Sequence, residues 1–196
     1  PASFLSRKVT VKYKNGSKES FQYVKDTKKM KAVLTGITLA SQQPTAFGIL
    51  PSQSQIQAHV VSYVARKLAG GTAEFAGEGS RGEERVFGLL SLAQSDSDER
   101  RVERYVEAFA DEGIDIAETG MFPLDPARAQ ELATGVVARM KDAGVTTVIV
   151  RADPITLPAF TREATKQGWY PEWVIGGYQF TDTSTFARTF DQDQWA

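Results

Sequence analysis

Past residue 47 the apolar positions come in two alternating textures: short β-branched runs, and longer stretches where apolar residues recur every three or four positions. Residues 146–150 read TTVIV, a run of the kind buried on both faces of a parallel sheet, and it breaks at Ala152-Asp153-Pro154. A helix is predicted next, with Thr156 placed to cap its first amides and Pro158 in the first turn, where a missing N–H does no harm. Leu157, Phe160 and Ala164 share one face of it, and Gly168 supplies the left-handed residue that ends it. Residues 173–175 then form a strand that Gly176-Gly177 closes. The same unit recurs upstream. Ser52 opens a helix with Ile56, Val60, Tyr63 and Val64 at helical spacing, stopped by Gly70-Gly71, and a loop runs to Glu84. Residues 86–92 read as a strand, 95–113 as a helix with Val102, Tyr105, Val106 and Phe109 inward, and 114–119 as a strand. Asp125-Pro126 opens a helix carrying Leu132, Val136, Val137 and Met140, closed by Gly144. Strand and helix alternating through four strands predict an α/β fold with a doubly wound, mostly parallel sheet. Crossover helices would place all the strand ends on one carboxyl edge, where open α/β sheets bind small ligands. The loops at 93–97, 151–154 and 177–180 are therefore the candidate binding loops, since each mixes small residues with hydrogen-bonding groups.

The first 43 residues have a different texture and are read as a separate basic β-hairpin segment, with the α/β lobe spanning 44–196. Val9, Val11 and Tyr13 alternate, Asn15-Gly16 follows, and Phe21 and Tyr23 alternate again. Residues 31–40 suit either a further strand or a weak helix. Nine basic side chains against Glu19 and Asp26 give residues 1–31 a charge of +7, so the remainder carries −8 within a net −1. A lysine-blunted hairpin edge explains that asymmetry, and a patch for anionic lipid or a partner is the sharper alternative. The net charge gives no reason to expect nucleic acid.

At 196 residues the chain can bury a substantial core, and its 41% hydrophobic content is that of an ordinary globular protein. No apolar run approaches the roughly 18 residues that span a bilayer, and no signal segment opens the chain, so a mature protein or an excised piece of one is expected. With no cysteine, disulfides, thiol nucleophiles and thiolate metal sites are excluded. His59 is the one histidine, which rules out multi-histidine metal sites and leaves a single candidate base for any Ser-His-Asp arrangement. At the margin of a helix's apolar face, it reads first as a packed or half-exposed helical residue.

Gly77-Glu78-Gly79-Ser80-Arg81-Gly82 matches the letters of the dinucleotide fingerprint but follows a helix and precedes a strand, the reverse of the required context, so it reads as a surface turn. Asp96, Asp98 and Glu99 lie across a helix start, where acidic residues favour the dipole, and Asp191 and Asp193 lie in a polar tail. Neither group has calcium-loop spacing. Trp169, Tyr170 and Trp173 crowd one turn and read as a satellite core or, alternatively, a ligand platform.

Three segments, PTAFGILPSQSQIQAHVVSYVARKLAGGTAEFAG, RVFGLLSLA and VIVRADPITLPAFTREATKQGWYPEWVIGG, carry a likeness that spans residues 44–180. Together they resemble the type I periplasmic solute-binding proteins of the branched-chain amino-acid class, the receptors of ABC importers. The resemblance implies a receptor that closes on a small solute without chemistry, needs no cofactor, and hands its cargo to a membrane permease from the periplasmic or extracellular side, with a lipid anchor possible in a full-length parent. It implies further that this chain is mainly the second lobe, with the first lobe missing or supplied by another chain. Carried over by position, the family's pocket loops fall at Gln94 and Ser95, at Asp153 and Pro154, and at Tyr178 and Gln179. Amino-acid binders of the family commonly place an acid where Tyr178 stands, so Asp153 would have to supply the charge for an ammonium group. A sensor of the same fold and a doubly wound enzyme acting through Asp153 or His59 are the competing expectations; no motif pairs a nucleophile with a base.

Overall fold

The structure, a computed structural model, describes residues 7–12, 18–23, 52–176 and 178–195. The chain divides into two compact units, Pro1–Ser52 and Gln53–Ala196. In the first, β1 (Arg7–Lys12) pairs antiparallel with β2 (Lys18–Tyr23), Val9 opposite Phe21 and Val11 opposite Glu19, which is the hairpin the alternation predicts. The turn between them and the undecided stretch at 31–40 lie outside the described residues.

The second unit alternates helix and strand. Helix α1 (Gln53–Tyr63) runs into a wider π turn at Val64–Leu68. Then come β3 (Phe87–Leu92), α2 (Asp96–Asp111), β4 (Ile116–Phe122), α3 (Ala129–Asp142), β5 (Thr147–Arg151), α4 (Leu157–Lys166) and β6 (Glu172–Ile175). All four strands are parallel, in the order β4-β3-β5-β6. The doubly wound sheet is thus as the strand and helix alternation requires.

Side chains alternate across a strand, so each strand feeds two cores. Leu89 and Ile149 pack with Val61 of α1 and Val64 of the π turn, and with Val102, Tyr105 and Phe109 of α2. Leu90, Leu92, Val148 and Val150 pack with Val136, Val137 and Met140 of α3 and with Leu157, Phe160 and Ala164 of α4. The fit is tightest where α3 crosses β4: a Cβ on Gly120 would stand 2.4 Å from Val136 Cγ1, so only glycine lets the helix approach this closely. From β3 the chain winds outward to β4 by way of α2 on one face. It then crosses back over β3 to β5 by way of α3 on the other. The strand order therefore reverses between β3 and β5, and the carboxyl ends of these two strands border the crevice of the sheet.

Two expectations are corrected and a third is sharpened. Of the predicted stripe at the first helix, Val64 is buried and Val60 packs against the core, but Tyr63 is 53% exposed and Val61 takes its place facing the sheet. Thr156 does not cap α4: its backbone is already helical (φ −90°, ψ −29°), whereas a capping residue is extended, and the carboxylate of Asp153 takes the amides instead. The polar tail around Asp191 and Asp193 is anchored to the lobe, since Phe190 and Gln194 are buried and Gln194 Nε2 donates to Thr165 Oγ1 at 2.9 Å, while Asp193 itself is exposed.

Candidate functional site

The carboxyl edge is built by the three loops that the sequence singles out. After β3, Ser95 is extended (φ −157°, ψ 161°) and starts α2: its Oγ accepts from the Asp98 amide at 3.3 Å and donates to Asp98 Oδ2 at 3.0 Å. The same carboxylate oxygen accepts from the Gln94 amide at 3.1 Å, and Gln94 is exposed. After β5, Asp153 is 2% exposed; its Oδ1 accepts from the amides of Ile155 and Thr156, both at 2.9 Å, and its Oδ2 accepts from Thr156 Oγ1. Pro154 begins the turn beside it and is half-buried. After β6, Tyr178 is buried in a single 3₁₀ turn, Tyr178–Phe180, that leaves Phe180 at φ 64°, a left-handed conformation that few side chains favour. The side chain of Gln179 lies outside the described residues. Gln94, Ser95, Asp153, Pro154 and Tyr178 all follow carboxyl strand ends, but Ser95 and Asp153 direct their oxygens at helix starts.

The residue that joins these loops is Arg151, the last of β5, which is only 3% exposed. Its Nη1 donates to Ser91 Oγ at 2.9 Å and to the Leu92 carbonyl at 3.0 Å, and its guanidinium carbon lies 5.1 Å from the centre of the Tyr178 ring. Its Nε is buried without a hydrogen-bond partner, and among the described residues no carboxylate pairs with it. From the sequence, Arg151 falls in a candidate loop with no role of its own. A charged residue ending a strand reads as solvated, and its burial depends on Ser91, 60 positions away. Tyr105 of α2 shares its surroundings: burial holds the phenol pKa well above its ordinary value, and the Arg151 charge offsets that only in part.

The opposite edge of the sheet is closed by a complete ion pair. Arg85 Nε donates to Glu172 Oε2 at 2.8 Å and Nη2 to Oε1 at 3.2 Å, with both side chains 7% exposed. Burial acts to raise the Glu172 pKa, but hydrogen bonds from Arg85, the Phe75 amide and Thr147 Oγ1 outweigh it and hold the carboxylate below its usual range.

The other candidates resolve into structure. His59 is an exposed residue of α1. Residues 77–82 form a turn in which the Gly77 amide donates to the Tyr170 carbonyl at 2.8 Å. Trp169 donates to the Val145 carbonyl and is part of the main core, whereas Trp173 donates to Gln194 Oε1, stacks on Trp195 and with it lines the cleft along β6. Among the described residues no group of three or more acidic, histidine or cysteine side chains could hold a metal ion, and no helix is long and apolar enough to cross a membrane. A cleft of about 1020 Å³ lies along the edge strand β6, between α1, the loop carrying Phe75 and the C-terminal Trp195. Its lining mixes apolar side chains with Glu74, Arg81 and the Arg85–Glu172 pair, Phe75 is 81% exposed, and it lies along the edge strand β6 and not between β3 and β5.

No protein-family model matches the sequence, and no curated protein matches it. Among solved structures the chain is similar to a periplasmic ribose ABC transporter from Conexibacter woesei DSM 14684, at 15% identity and a TM-score of 0.40. The match covers 59% of this chain and 34% of that one, so the matched part spans about a third of the neighbour's length.

Proposed function

We propose that the Gln53–Ala196 unit is a solute-binding lobe of an extracytoplasmic receptor that serves an ABC-type importer, holding a small polar solute at its carboxyl edge without chemistry. The observation that carries this reading is the reversal of strand order between β3 and β5, with the loops bearing Gln94 and Ser95, Asp153 and Pro154, and Tyr178 following carboxyl strand ends. The resemblance of residues 44–180 to the branched-chain receptor class supports it, and an amino acid or a related solute is the ligand that class suggests. A permease and a first lobe, in the same protein or another chain, are the partners this role requires. Gln94 and Tyr178 would contact the solute directly, while Ser95 and Asp153 would act mainly by fixing the two helix starts that face it.

A panel of amino acids, small amides and aromatic acids, each at millimolar concentration, tests the reading through thermal unfolding of the chain. At least one solute is expected to raise the unfolding temperature, by an amount that grows with its concentration. Silence across the panel would contradict the reading, as would turnover of a bound compound that disappears in Asp153→Asn or His59→Gln.

A further inference from the structure

Two buried side-chain polar atoms lack a hydrogen-bond partner among the described residues: Arg151 Nε and Gln57 Nε2. Both are donors, and both belong to the face of the sheet covered by α1 and α2. Arg151 follows Ile149 by two positions on β5, so it points to the same face, and Ile149 packs with Val61 of α1 and Val64 of the π turn that continues it. Gln57 lies one turn before Val61 on the same stripe of α1. The helix crosses the sheet with its start toward the carboxyl edge, because Val60 crowds Gly176 just past β6, while the Leu68 carbonyl accepts from Arg85 at the amino edge. Gln57 is therefore at the end of the face where Arg151 is.

We propose that Arg151 and Gln57 form an anion subsite that takes the carboxylate of the bound solute, an inference that rests on the solute-binding reading above. The Nη1 group of Arg151 is engaged by Ser91 and Leu92, the Tyr178 ring lies against the guanidinium, and on the Nε–Nη2 edge Nε is buried with no hydrogen-bond partner among the described residues. That edge presents two parallel N–H groups, the geometry that binds a carboxylate bidentately. This protein uses the same edge of Arg85 to hold Glu172. A buried arginine with no counter-charge is costly, and a carboxylate from outside the chain supplies the charge that Asp153 and Asp98 do not, since both direct their oxygens to helix starts. The solute class is thus small carboxylic acids, amino acids included, with the carboxylate inward. The ammonium of an amino acid would be left to the outer rim.

The test compares matched acids and amides, benzoate with benzamide and L-leucine with L-leucinamide, by nuclear magnetic resonance of the isotopically labelled chain. The Arg151 Nε–H resonance is assigned by its loss in Arg151→Lys. Acids are expected to move that resonance downfield and to bind at least about tenfold more tightly than their amides. Arg151→Lys and Gln57→Leu are expected to weaken acids and leave amides unchanged. Equal binding of acids and amides at the rim, with the Arg151 resonance unmoved, would overturn the subsite and leave the solute-binding reading standing. No rim response to any compound would overturn both. Should the variants fail to fold, the acid response of Arg151 in the unmodified chain decides, with assignment through its connectivity to the Arg151 backbone.

Discussion

Two arginines mark the two ends of one parallel sheet, and they are treated in opposite ways. At the amino edge, Arg85 and Glu172 meet through two hydrogen bonds, and the remaining acceptor capacity of the carboxylate is met by Thr147 and the Phe75 amide. At the carboxyl edge, Arg151 is at least as deeply buried, and among the described residues it meets a hydroxyl, a carbonyl and an aromatic ring but no carboxylate. The first is a finished structural joint that ties the loop before β3 to the start of β6. The second has the form of half an ion pair. Removing a partner from a satisfied buried pair and removing an unsatisfied buried charge have different consequences, and that difference makes the comparison testable.

The largest effect is expected at the amino edge. Glu172→Ala leaves Arg85 buried without its counter-charge and should cost about 3–5 kcal/mol in denaturant unfolding. Replacing both partners, as Arg85→Met with Glu172→Leu, should recover most of that loss. A cost below about 1 kcal/mol for Glu172→Ala would mean that the pair does not hold the edge.

The same pair makes stability depend on pH. The folded pKa of Glu172 lies below its unfolded value, and that of Glu163 does too: burial works to raise it, but Gln167 and Lys166 overcome this. The unfolded chain therefore binds more protons at acid pH. The contribution is fully present above the ordinary glutamate pKa of about 4.3 and is lost as pH falls through the folded values beneath it. The unfolding midpoint should drop on that descent, and less so in the Arg85→Met, Glu172→Leu variant; equal acid sensitivity in the two proteins would contradict the assignment.

A smaller effect separates capping from ligand contact. Asp153→Ala should cost about 1 kcal/mol by removing the cap of α4, whereas Thr156→Ala should cost less, because Thr156 donates to that cap and does not itself accept the helix amides. The reverse order would return the capping role to Thr156. The smallest change in stability is expected at Arg151. Arg151→Met gives up two hydrogen bonds and the contact with Tyr178 but relieves a lone buried charge, so unfolding free energy should move by less than about 1 kcal/mol. Loss comparable to Glu172→Ala would show that Arg151 is a structural joint like Arg85.

The fold was largely legible because its signals are local. The apolar runs at 86–92 and 146–150, the helical spacing of Val102, Tyr105 and Phe109, and Gly168 at φ 61° each act through neighbours in sequence. The loops of the site were legible for the same reason, once the strands were placed in parallel order. The chemistry within them was not. Asp-Pro-Ile-Thr offers two capping side chains, and the choice of Asp153 follows from backbone angles that the letters do not state. The burial of Arg151 needs Ser91, Leu92 and Tyr178 from other strands and loops, and the closure of the amino edge needs Arg85 to meet Glu172 across 87 positions. Pairings at such separations leave no local pattern to read.

The most direct measurement is a map of backbone amide shifts in the labelled chain as benzoate is added to millimolar concentration. Shifts clustered at Gln94 to Asp98, Arg151 to Thr156 and Gly176 to Tyr178, with Arg85, Thr147 and Glu172 still, are the expected result. Shifts confined to the β6 cleft around Phe75 and Trp195, or spread evenly over both edges, would contradict the view that one end of the sheet is finished and the other is built to receive a ligand.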